Sequence, residues 1–329
     1  MSGIDLDLWE EEFDDLDDAR HRRRRGTKRS TKAQERIDDA DRARVVAVAR
    51  GLLEVYFDDE RHPARFGGSM RGTKVVVGDE VRIRPPRHDT DVVRVLGLEE
   101  RRTWLTRTPD DDADVERVVV ANAEAVGVVV AGDRIVEAVG FVDRVLVAGS
   151  VGGLEPLVVV NKMDLADPAI VAEAMAPYRD LDVTVVQTSA EARTGLDDLE
   201  DALQGRWTAF TGHSGVGKSS LFNLVVPAAE QDVAELGRRG GRHTTVAAIA
   251  EHAPDLDAWL VDTPGVRSFG LGTLAPDELV DHFPELADLG CDLDDCAHLG
   301  EPGCRLDVDA VAPTRWSSYL RIREGLLGQ

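Results

Sequence analysis

Eight consecutive residues, Gly212-His213-Ser214-Gly215-Val216-Gly217-Lys218-Ser219, match the pattern G-x-x-x-x-G-K-[ST] at every fixed position. That pattern holds a polyphosphate. Backbone N–H groups can close on phosphate oxygens only where side chains leave room, which glycines at 212, 215 and 217 provide. Lys218 would reach the β- and γ-phosphates and the Ser219 hydroxyl would ligate Mg²⁺, with Ser220 extending the contact run. A second stretch, Asn161-Lys162-Met163-Asp164, suits recognition of a base. Its Asp carboxylate can accept two hydrogen bonds, from guanine N1–H and from the exocyclic amine, which adenine cannot supply, so a buried Asp164 would reject ATP. Asn161 would brace the loop and reach the base edge, and the Lys162 stem would lie along the base plane. In Thr188-Ser189-Ala190, the backbone N–H groups of Ser189 and Ala190 would face guanine O6.

Two further stretches fit a nucleotide switch. In Asp262-Thr263-Pro264-Gly265, Asp262 would hold Mg²⁺ through water and the Gly265 N–H would meet the γ-phosphate, so that loss of that phosphate frees the loops. His243-Thr244-Thr245 closes a segment of small, polar and glycine residues; Thr245 would complete the Mg²⁺ shell, the plain alternative being a threonine pair entering a strand. Many GTPases orient the attacking water with a glutamine after D-x-x-G, but Val266 stands there. His243 is the candidate replacement, acting with Lys218 and Thr245, and a plain structural histidine is the alternative. Finally, Cys291, Cys296, His298 and Cys304 use all three cysteines of the chain and form the Cys₃His set of a closed tetrahedral zinc site.

These residues need a sheet to carry them. Trp207–Thr211 reads as a strand and Ser219–Val226 as an amphipathic helix whose N-terminus faces the phosphates; a glycine-rich turn with a chance lysine would lack both flanks. Strands at 156–160, 183–186 and 258–261 would deliver Asn161, Thr188 and Asp262, and helices are expected near 169–178 and 196–203. With buried-strand runs at 118–121 and 126–131 and a segment of mixed polarity ending at 143–147, the alternation predicts a parallel sheet covered by helices. Upstream, short strand candidates at 44–49, 53–57, 74–77, 81–83, 92–96 and 103–105 predict a small β-barrel, most simply an OB-fold. Arg61, Arg65, Arg71, Lys74, Arg82, Arg84 and Arg87, interleaved with Tyr56 and Phe66, form a candidate RNA surface, while Tyr56 equally suits the barrel core. A helix over 314–327 carries Arg315, Arg321 and Arg323 beside Trp316 and Tyr319, to pack on the preceding domain or to touch RNA.

The chain has 329 residues, 43% of them apolar, which suits several globular domains. We divide it into a charged tail (1–41), an OB-fold domain (42–116), an α/β P-loop domain (117–274) and a zinc-binding, mainly helical domain (275–329). The net charge of −23 opposes nucleic-acid binding by the surface as a whole. Distribution qualifies that: residues 1–19 hold nine acids and no base, whereas 20–32 hold basic residues and no acid. Such blocks read as a disordered tail, either contacting RNA phosphate or simply solvated. No apolar run approaches the roughly 18 residues of a membrane span, and the acidic N-terminus does not suit a secretory signal, so a cytoplasmic location without a membrane partner is expected.

The order of the motifs is guanine loop, Thr-Ser-Ala turn, P-loop, threonines, D-x-x-G, whereas most GTPases place the phosphate loop first. The domain is therefore circularly permuted, which compact domains with neighbouring termini permit. On these motifs and the cysteine cluster, the chain from about 43 to 327 resembles the ribosome small-subunit-dependent GTPase A family, RsgA or YjeQ. The resemblance implies an N-terminal OB-fold, a permuted GTPase domain, a C-terminal zinc domain and work in late small-subunit maturation. It also implies Mg²⁺ with GTP, one structural Zn²⁺, and the small ribosomal subunit with its rRNA, GTP and GDP as partners of a monomer. Two features depart from the family: His213 replaces a usual Gln, and the charge is unusually acidic. Two alternatives stay open, an RNA-binding assembly factor that uses GTP only as a conformational ligand and a permuted GTPase acting on the large subunit or another RNA.

Overall fold

The computed structural model describes residues 40–49, 52–70, 72–86, 92–107, 117–226, 246–263, 269–271, 274–287, 289–293 and 296–328. His243, Thr244, Thr245, Gly265 and Val266, Arg71 and Arg87, and the charged tail up to residue 39 lie outside them.

Five strands close the N-terminal barrel: β1 (Asp41–Ala49), β2 (Leu52–Phe57), β3 (Glu60–Phe66), β4 (Glu80–Arg84) and β5 (Val93–Leu98). β1 pairs with β2, β2 with β3, β3 in parallel with β5, β5 with β4, and β4 back with β1, the OB-fold circuit. Alternation drives closure, because Ala43, Val45, Val55, Val81, Ile83, Val93 and Val95 all point inward. Two details differ from expectation. Residues 74–77 are not a strand: Val77 alone bridges Val120, and the Val76 N–H turns to the Asp79 carboxylate at 2.7 Å. The third barrel strand is instead β3, mostly exposed, with Ala64 facing the core. The strand near 103–105 also falls outside the barrel, as β6 (Trp104–Arg107) pairs with β7 (Arg117–Ala121) in a separate hairpin.

The second sheet contains β8 (Ala125–Ala131), β9 (Glu155–Asn161), β10 (Thr184–Gln187), β11 (Trp207–Thr211), β12 (Val246–Ala253) and β13 (Ala258–Asp262), in the order β10-β9-β8-β11-β13-β12. All pairs are parallel except β12–β13. β8 is buried at every residue, as a parallel strand covered on both faces must be. Val128, Val130, Val158 and Val160 meet α1 (Ile135–Val151) and α2 (Pro168–Arg179), while Val129, Leu157, Val159 and Phe210 meet α3 (Leu196–Leu203) and α4 (Lys218–Val225). The segment of mixed polarity is α1; because it packs on the sheet, on α2 and on the C-terminal helix α5 (Pro313–Leu327), its apolar residues do not keep to one stripe.

The two sheets are joined. The second half of β1 keeps β2 on one side but passes beyond β4 and pairs on the other with β12, Ala47 opposite Ile249 and Val48 opposite Ala248. Around this seam the Arg44 guanidinium lies 3.4 Å from the Trp207 ring centroid, and burial lowers its pKa to about 10. Trp207 stacks on Trp259, and Tyr56 meets Trp259 edge-on at 4.7 Å. Tyr56 is thus an interface residue, neither base platform nor barrel core. Arg61 likewise faces the second sheet, donating to a β12 carbonyl, and Arg82 is paired with Glu99. Arg65, Phe66, Lys74 and Arg84 remain exposed.

At the C-terminus, Arg315 and Tyr319 are buried, which answers whether they pack or touch RNA. Arg315 bonds to Asp143 of α1 at 2.6 Å and to both Glu285 carboxylate oxygens, and Asp143 also accepts from the Tyr178 hydroxyl at 2.7 Å. Burial, then the Asp143 charge, pushes the Tyr178 hydroxyl far above its ordinary pKa. Among the described residues no helix is long and apolar enough to cross a membrane.

Candidate functional site

The loop at 212–217 leaves the buried strand β11 and enters α4 at Lys218. Gly217 has φ +90°, and a Cβ there would run into the Asn161 amide nitrogen, so glycine is required both by conformation and by space. Gly215 has φ +85° and Gly212 would bring a Cβ within 2.5 Å of the Val129 carbonyl oxygen. His213, Ser214, Ser219 and Ser220 are exposed and Val216 is buried under the loop. His213 packs against Phe141 of α1, ring centroids 4.1 Å apart and the planes tilted by 39°. Its ring therefore lies on α1.

Asn161 is the junction of the site. It is 1% exposed; its Nδ2 donates to the Val216 carbonyl at 2.9 Å, and its Oδ1 accepts from the Ala190 N–H at 3.0 Å and the Thr188 hydroxyl at 3.2 Å. One side chain ties the guanine loop, the Thr-Ser-Ala turn and the P-loop together. The expected bracing role is what its hydrogen bonds perform, with both ends of the amide bound within the protein.

Lys162 takes the left-handed conformation, φ +62°, which turns the chain at the strand end. Met163 donates its N–H to the Thr188 carbonyl at 3.1 Å, binding the two loops by backbone as well. Asp164 is exposed, not buried as expected, because it projects beyond the strand end. It is nevertheless held: its Oδ1 accepts a short hydrogen bond from the Ser189 hydroxyl, which also accepts from the Ala192 N–H at 3.0 Å. The N–H groups of Ser189 and Ala190, expected to face guanine O6, are instead donated within the protein, to the Thr194 carbonyl at 3.0 Å and to Asn161 Oδ1, and it is the Ser189 hydroxyl that meets Asp164.

Asp262 ends β13 and forms an ion pair with Lys218, joining the phosphate loop to the D-x-x-G strand. Thr263 anchors that end, its hydroxyl donating to the Phe210 carbonyl at 2.7 Å. Beyond the D-x-x-G stretch, Phe269 is fastened by Arg144 of α1, whose Nη2 donates to its carbonyl at 2.9 Å. Ser219 and Asp262 are oxygen donors suited to Mg²⁺, a hard cation that binds few carboxylates and keeps waters.

At the cysteine cluster, His298 Nδ1 lies 3.6, 3.5 and 3.5 Å from the sulfurs of Cys291, Cys296 and Cys304. All four ligand atoms fall within 4.8 Å of one another. Those separations match the edges of a tetrahedron with metal–ligand bonds of about 2.0–2.3 Å, so the residues fit zinc. The other ring nitrogen, Nε2, lies 2.9 Å from the Leu286 carbonyl oxygen, which orients the imidazole as an outer partner of a ligand should.

Comparison with known proteins agrees with this arrangement. The RsgA GTPase family profile matches residues 98–272. The small ribosomal subunit biogenesis GTPase RsgA of Gemmatimonas aurantiaca is 35% identical over 302 residues, covering 87% of this chain and 97% of that protein. Its namesake from Proteus mirabilis is 36% identical over 271 residues, 77% of this chain and 76% of its own. The crystal structure of YjeQ from Thermotoga maritima superposes with a TM-score of 0.70 at 28% identity, covering 88% and 99% of the two chains. YloQ, a circularly permuted GTPase, shares the fold at a TM-score of 0.66 and 22% identity, covering 87% of this chain and 95% of its own.

Proposed function

The chain belongs to the RsgA GTPase family, and from that premise we propose that it hydrolyses GTP to couple its nucleotide state to binding and release of the small ribosomal subunit during late maturation. The observation that carries this reading is the Asn161 clasp, which sets the guanine loop and the phosphate loop at a fixed separation for one nucleotide.

In this reading Asp164, aimed by Ser189, accepts the two guanine N–H groups, while the Ser189–Ala190 turn, its own N–H groups donated to the Thr194 carbonyl and to Asn161 Oδ1, borders the base edge. Lys162 and Met163 line the base, and the glycines at 212, 215 and 217 with His213, Ser214 and Val216 form the phosphate cradle. Lys218 exchanges its Asp262 partner for phosphate oxygens. Ser219, Asp262 and Thr245 would hold Mg²⁺, which supplies charge neutralisation between the β- and γ-phosphates. Ser220 caps the run and Gly265 meets the γ-phosphate. His243 orients the attacking water in place of the missing glutamine, so turnover is slow alone and accelerated by the subunit. Cys291, Cys296, His298 and Cys304 hold one structural zinc, whose part is to fold the C-terminal loops. The barrel contacts rRNA through Arg65, Phe66, Lys74 and Arg84. The protein acts as a monomer in the cytoplasm.

The test is phosphate release from GTP and from ATP, with protein alone, with small subunits and with large subunits. Strong GTP-specific stimulation by small subunits alone is expected. Equal stimulation by both subunits would remove the assigned partner, and no turnover in any mixture would leave GTP as a conformational ligand only.

A further inference from the structure

The row of paired residues that crosses the sheet at the nucleotide site continues past the GTPase domain. Phe210, two residues before the P-loop, pairs with Asp262; Asp262 pairs with Ile249; Ile249 pairs with Ala47 of β1; and Ala47 pairs with Glu54 of β2. β12 is thus the strand between the barrel and the strand that ends in Asp262.

Side chains fasten β12 from the barrel. Arg61, on β3, donates to the Ala250 carbonyl at 2.7 Å and forms an ion pair with Glu251, whose side chain is 4% exposed. Its guanidinium also lies 4.0 Å from Glu54 and 5.9 Å from the ring centroid of Trp259 on β13. One barrel residue therefore touches both the backbone and a side chain of β12 and borders β13. A buried ion pair contributes little net stability against an apolar alternative, but this one joins strands of two modules, β3 of the barrel and β12.

We propose that Arg61 couples the barrel to the nucleotide site: it clasps β12 between barrel and β13, so that engagement of the barrel by subunit RNA is transmitted along β12 to Asp262. The inference rests on the GTPase reading above. Coupling between two sites requires an element that both of them bias, and β12 is bonded to the barrel on one side and to the Asp262 strand on the other. Such coupling is reciprocal, so the factor by which the subunit strengthens GTP binding is the factor by which GTP strengthens subunit binding.

The test uses the full chain as wild type and as Arg61→Ala, Arg61→Lys and Glu251→Gln. Turnover is measured alone and with small subunits, and subunit affinity is measured with GDP and with a non-hydrolysable GTP analogue. For Arg61→Ala, turnover alone stays near wild type, subunit-stimulated turnover falls about tenfold, and the ratio of the two subunit affinities moves towards one. Arg61→Lys, which keeps the charge, restores part of both. Unchanged stimulation and an unchanged affinity ratio in Arg61→Ala would overturn the proposal. Should Arg61→Ala fold poorly, Glu251→Gln decides: undiminished coupling in that variant overturns it and reduced coupling supports it. A wild-type protein indifferent to small subunits would instead remove the functional reading beneath it.

Discussion

Asn161 Nδ2 donates to the Val216 carbonyl across 55 residues of chain, so the Asn-Lys-Met-Asp loop and the P-loop are tied by one buried side chain. Replacing Asn161 with Ala removes that bond and those to Ala190 and Thr188. Buried partners left unsatisfied cost about 1–3 kcal/mol each. We expect lower stability in denaturant titration together with a GTP affinity reduced about tenfold or more. A loss of stability alone, with GTP affinity intact, would contradict the brace.

In the proposed reading Asp164 is the carboxylate that selects guanine, and the Ser189 hydroxyl holds it. Hydrogen bonds to a charged group contribute about 1.5–3 kcal/mol each, so Asp164→Ala should lower GTP affinity by roughly a hundredfold or more and bring it close to that for ATP. Ser189→Ala should produce a smaller loss in the same direction. Competition of GTP and ATP for a fluorescent nucleotide analogue reads both effects, and retained discrimination in Asp164→Ala would place base selection elsewhere.

Burial pushes the Cys296 thiol up to about 12, so at neutral pH a bound cation is what would hold it as thiolate. Ligands must lose protons to bind zinc, and protons compete as pH falls. One zinc per chain is expected by elemental analysis, with release on acidification below about pH 6 and a lower unfolding temperature after chelation. Purified protein without zinc, or an unfolding temperature indifferent to chelator, would refute the structural site.

Arg315 is enclosed by Asp143, Glu285, Tyr178 and Phe283. Burial alone would favour its neutral form, but hydrogen bonds and charge from Glu285 and Asp143 hold it protonated above its ordinary pKa. Arg315→Ala strands two carboxylates without their counter-charge, at a cost of about 3–5 kcal/mol. Limited proteolysis should then release the C-terminal segment while the sheet domain persists; a variant as resistant as wild type would show that the C-terminal segment docks by other contacts.

The nucleotide motifs were legible because each is a run of neighbouring residues, and their order alone revealed the permutation. What escaped the sequence depends on distant partners. Arg61 and Tyr56 look like RNA-facing residues by type, yet Arg61 meets a carboxylate 190 positions away and Tyr56 meets Trp259. Arg315 finds Asp143 across 172 positions. β3 escaped because its residues are largely exposed and include Pro63, so neither alternation nor composition marked it. Residues 74–77 misled in the opposite way, a valine run whose Asp79 captures a backbone donor before a ladder can form.

The β1–β12 seam has a consequence for the domain's independence. Strand edges carry unpaired backbone groups that invite addition of another chain. In the GTPase sheet one outer strand, β10, is only four residues long, while the other, β12, is eight residues and lies under β1. A nucleotide domain cut free of its barrel would present that longer strand bare. The barrel is thus an edge guard, and the smallest fragment that stays in solution by itself should include it.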